Sequence, residues 1–180
     1  MQVLRAVMTV GHLLAFALAL SAVLRGDWMI LRGPRIDRDA LGRISRTVVL
    51  SLAALAVTGF AIIALDFGLD AQKIAQSPKL WAKLTVVGVL VINGIVLHHR
   101  VFPTLLRKSR QGRAAPLFVC ALGAVSTTSW LFATFLGIAG PLAPALGYTG
   151  FMAIYILMLL SSIMVAMLFV RPRVESLLYG

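Results

Sequence analysis

Three histidines are the residues in this 180-residue chain best suited to chemistry: His12, His98 and His99. Neutral imidazole ligates haem iron, copper and the magnesium of chlorophyll. All three lie in long apolar stretches, where a polar group is costly and is a functional candidate by default. The other residue sets that carry chemistry are missing. Cys120 is the single cysteine, so there is no internal disulfide and no CxxC pair, and it reads as a small buried hydrophobe. No Ser-His-Asp set, HExxH or phosphate loop is present, which argues against a hydrolase.

The elements that position these histidines follow from composition. Hydrophobic residues make up 60% of the chain and charged residues 13%, with mean hydropathy +0.95. A soluble domain carries about 25% charge. A soluble fold, a disordered chain and a disulfide scaffold are excluded, leaving an integral membrane protein. Five stretches are long enough to cross about 30 Å of hydrocarbon as helices. They are expected over residues 6–24, 47–65, 84–102, 115–138 and 147–170. The runs are continuous and do not alternate, which excludes barrel strands. The expected fold is therefore an all-α polytopic bundle in a single transmembrane domain spanning residues 1–180. Arg5 and Ala17-Leu18-Ala19 give the first stretch some likeness to a signal peptide, but it is read as a true span. No internal repeat is evident, which disfavours an inverted-repeat transporter.

The formal charge of +11 reads as orientation. Thirteen of the seventeen basic residues, from Arg25–Arg46, Arg100–Arg113, Arg171 and Arg173, fall on one side of the five spans. Arg5, Lys73, Lys79 and Lys83 fall on the other. The positive-inside rule puts the N-terminus outside and the C-terminus in the cytoplasm. Nucleic acid is not an expected partner, because no soluble module or aromatic–basic pattern would bind it. Gly33-Pro34 is expected to break the first connection, with Asp37 or Asp39 capping a short interfacial helix. No Asp or Glu falls inside an expected span, Asp66 and Asp70 lying at an outer end, so no proton relay is expected.

His12 lies near the middle of span one, with Met8, Ala15, Ala19 and Ala22 along its face. Small residues there let a helix or a flat macrocycle approach. His12 is either a metal ligand or a histidine bonded across a helix contact. His98 and His99 point about 100° apart on a helix. His98, one turn after Gly94, is expected to face inward and His99 to meet headgroups. A haem b held by His12 and His98 meets a depth mismatch of about seven residues, roughly 10 Å. The spans are displaced, the haem leans, or the histidines belong to two sites. Thr58, Trp130, Tyr155 and Met158 are expected at the depth of His12. With Ser126, Thr134 and Ser162 they line a quinone or porphyrin pocket or make interhelical bonds, and Asn93 is expected to bond across the bundle. Lys83 either snorkels or pairs with a haem propionate.

Ser77-Pro78-Lys79-Leu80-Trp81-Ala82-Lys83-Leu84-Thr85-Val86-Val87, then Asn93-Gly94-Ile95-Val96-Leu97-His98, resembles a family of small bacterial five-span membrane proteins that is largely uncharacterised. So do Gly11-His12-Leu13-Leu14 and Ile44-Ser45-Arg46. A more distant likeness is to the copper-resistance D type and the small membrane protoporphyrinogen oxidases, which place a histidine early in span one. The latter have a Trp-x-x-Lys-Leu entry to span three. Here Trp81-Ala82-Lys83-Leu84 is one residue shorter, His98 comes later, and the Pro-Arg-Leu element after span one is absent. The resemblance implies a bacterial inner-membrane protein in which His12, Lys83 and His98 belong to a haem-handling arrangement.

The expected function is a haem b protein acting as an electron-transfer or haem-handling subunit. His12 and His98 are the candidate metal ligands, with His99 and Lys83 also candidates for contact with the cofactor. The alternatives are a non-enzymatic accessory subunit of a larger membrane complex, holding pigment or lipid, and a copper-related membrane protein. Candidate partners are the lipid bilayer, a quinone, a larger complex and a second copy of the chain. No catalytic residue stands out.

Overall fold

The structure is a computed structural model that describes residues 1–33, 37–101 and 114–179. Among them it is all helical, without strands. Pro34 and Arg35, the end of the third expected span at Phe102, and the basic residues Arg107, Lys108, Arg110 and Arg113 lie outside the described residues.

Helix α1 spans Gln2–Arg32, α2 Arg38–Phe67, α3 Ala71–Ala75 and α4 Pro78–Val96, which runs on into a wide π turn at Leu97–Val101. Helix α5 spans Ala114–Ile138, α6 Ala143–Val165 with a second π turn at Ala166–Val170, and α7 Arg171–Tyr179. Five helices are long and apolar enough to cross a membrane. Their outer surfaces carry exposed Leu14, Leu18, Phe60, Ile92, Leu157 and Phe169, while Ala15, Ala19, Ala22 and Ala82 are buried. Bulky residues outward and small ones inward suit helices packed in lipid.

Local chemistry sets the helix ends. Asp37 Oδ1 accepts from the Asp39 amide at 2.9 Å and caps α2. That cap belongs to a spanning helix and not, as expected, to a short interfacial one. Gly68 ends α2 with φ +62° and donates its amide to Ala64 O, a left-handed stop that glycine adopts without Cβ strain. Asp70 caps α3 by accepting from the amides of Gln72 and Lys73. Pro78 opens α4 at a position where its missing N–H costs nothing. Gly147, at φ +58°, breaks the helical geometry inside α6, so the regular helix begins close to the start expected for span five.

The helices outrun most of the expected spans because polar residues continue them. Helix α1 passes Arg25 and Asp27 and ends at Arg32, eight residues beyond the end expected for span one. Helix α4 begins six residues early and takes in Lys79, Trp81 and Lys83.

The chain divides into two compact units. The first comprises Met1–Gly26 and Asp37–Ser77. Here Arg5 meets Asp66, His12 meets Thr58, and Gly26 lies beside Ile44. Partner numbers fall in α2 as they rise in α1, so the helices run antiparallel. The second comprises Asp27–Ile36 and Pro78–Gly180. Its α4, α5 and α6 pack together, with Trp130, Phe132, Leu136 and Phe151 nearly or fully buried. At its other end Val101, Val119, Cys120, Ala124, Ala166 and Val174 form a cluster onto which Ile30 packs. Arg173 Nη2 donates to Gly33 O and ties α7 to the end of α1.

Candidate functional site

The first unit holds the best-defined polar site. His12 is half-buried on α1, with Nδ1 2.9 Å from Thr58 Oγ1 on α2. The direction of this bond follows from proton counting. A threonine hydroxyl has one proton. Thr58 Oγ1 lies 2.7 Å from Ala54 O one turn back, and a carbonyl can only accept, so the Thr58 proton goes there. Thr58 therefore accepts from His12, which must carry its proton on Nδ1. In the neutral ring the ligating lone pair is then on Nε2. Metal-binding histidines are commonly fixed in this way, the second nitrogen donating to a protein oxygen.

Small residues bring the two helices close at this point. A Cβ on Gly59 would stand 3.4 Å from His12 Cε1, and one on Gly11 would stand 3.8 Å from Thr58 Cγ2. The expectation that Thr58 shares the depth of His12 holds; Gly59, which gives the ring its space, was not anticipated. Three residues before His12, Thr9 donates to Arg5 O at 2.9 Å. Arg5 in turn donates to Asp66 through Nε at 2.5 Å and Nη2 at 3.2 Å.

His98 and His99 belong to the second unit and lie in the π turn that ends α4. Their rings are 5.2 Å apart, centroid to centroid, and nearly perpendicular. Both are exposed, so the expected inward turn of His98 is not found. The physical reason lies in the face α4 buries: Ala82, Val86, Leu90 and Asn93 turn inward, followed by Val101 in the π turn, and the histidines fall off that stripe.

Lys83 is exposed, and it is Lys79 that makes the polar contact: its Nζ donates to Gly137 O at 3.4 Å, at the carbonyl end of α5. A cation there complements the negative end of the helix dipole. Against known protein families, curated proteins and solved structures, the chain finds no match.

The remaining mid-helix polar groups tie helices together. Tyr155 Oη lies 2.7 Å from Ser129 Oγ, and Thr85 Oγ1 lies 3.1 Å from Tyr148 Oη. Asn93 Nδ2 donates to Leu122 O at 3.2 Å, the expected bond across helices. Trp130 is 2% exposed, packed in the helix core. Tyr155 thus makes an interhelical bond, one of the two roles expected for it. Asp27 on α1 accepts from Thr127 Oγ1 at 2.8 Å, an interaction the sequence reading missed because it placed Asp27 in a loop.

Proposed function

We propose that this chain is a multi-pass bacterial inner-membrane protein that holds haem b on His12, as an electron-transfer or haem-handling subunit. The observation that supports this reading is the Thr58–His12 bond, which leaves the ligating lone pair on Nε2. Among the described residues no group of three or more His, Cys, Asp and Glu side chains is placed to hold a metal ion. A single oriented imidazole would suit a metal that arrives already held in a macrocycle, as haem iron is, better than a bare copper ion. Haem, when bound, supplies one-electron transfer. The protein's part is to present Nε2, fix the ring through Thr58 and keep room beside it at Gly59. A lipid-soluble quinone is the proposed electron partner. The proposed orientation, N-terminus outside and C-terminus cytoplasmic, is supported by the basic-residue bias.

The test is the absorption spectrum of the purified protein, oxidised and reduced. A Soret band present in the wild type and lost in His12→Ala is expected. A colourless preparation from haem-replete cells overturns the reading; a co-purifying complex then favours an accessory subunit, and copper by elemental analysis a copper-related protein.

A further inference from the structure

We draw no further inference here: the strongest candidate, the exposed side-chain cluster of His98 and His99 in the π turn that ends α4, carries nothing, because among the described residues no third metal-ligating side chain joins the two imidazoles and nothing in the structure shows what they would hold.

Discussion

Tyr155 Oη donates to Ser129 Oγ at 2.7 Å, because the single Ser129 proton is already committed to Val125 O at 2.6 Å. The same device recurs. Thr85 bonds back to Trp81 O and so accepts from Tyr148, and Thr58 bonds back to Ala54 O and so accepts from His12. A hydroxyl that bonds to its own helix becomes an acceptor for a neighbouring one. The helical chain itself therefore sets which partner carries the proton, and at His12 that choice also decides which nitrogen can ligate.

If Tyr155 is the donor, Tyr155→Phe loses one interhelical bond while Ser129 keeps its backbone partner. The expected cost is about 0.6–1.7 kcal/mol, the range measured for such bonds between membrane helices. Ser129→Ala should cost more, because it leaves the phenol without an acceptor where Ser129 is 0% exposed. Thermal unfolding in detergent checks the order, and the reverse order contradicts the assigned direction.

The His12 tautomer can be read without cofactor. In nitrogen-15-labelled apoprotein above the histidine pKa, His12 should show the Nδ1–H form, its resonances assigned by their loss in His12→Asn. Thr58→Ser keeps that form. Thr58→Val removes the acceptor, and the Nδ1–H excess should disappear. An Nε2–H ring in the wild type contradicts the proton count.

The five spans were legible because each is a long apolar run whose period needs no partner. Their ends were not. Asp27, Lys79 and Lys83 look like terminators in sequence, yet Asp27 finds Thr127, Lys79 finds the carbonyl end of α5, and the helices continue past them. His12 was legible as an isolated polar residue in an apolar face, and Thr58 as a group at its depth. The hydrogen-bond direction was not, because it depends on where a hydroxyl 46 residues away sends its proton. Ser129 was missed for the same reason: a serine in an apolar helix carries no mark of its partner. His98 was misassigned because its facing depends on which stripe α4 buries, and the π turn lies between Asn93 and Val101.

Two glycines of α2 separate packing from propensity. Gly42 is exposed, and an added Cβ meets nothing within 4 Å, so Gly42→Ala should stabilise by about 0.5–1 kcal/mol through helix propensity. At Gly59 the same Cβ stands 3.4 Å from His12 Cε1. The added methyl stands at the limit of ordinary contact with the ring, which offsets part of the propensity gain. Gly59→Ala should therefore gain less than Gly42→Ala in thermal unfolding and should also move the His12 resonances, which Gly42→Ala leaves in place. Equal gains in the two variants would show that the ring does not depend on this space.

Asp27 and Thr127 predict an asymmetry that a simple contact would not give. Thr127 Oγ1 donates to Asp27 Oδ2 at 2.8 Å, and both residues are half-buried. Thr127→Val preserves shape but leaves the carboxylate without its donor, a loss of about 1–3 kcal/mol. Asp27→Leu is milder in its polar consequence, because a helical threonine can return its proton to the carbonyl one turn back, as Thr58 and Thr85 do. The carboxylate has no such fallback. Combining Asp27→Leu with Thr127→Val removes both polar groups and should restore much of the stability lost in Thr127→Val alone. A double-mutant cycle by thermal unfolding measures this. If the double variant is less stable than Thr127→Val, the pair contributes net stability and the cost is not that of an unsatisfied carboxylate.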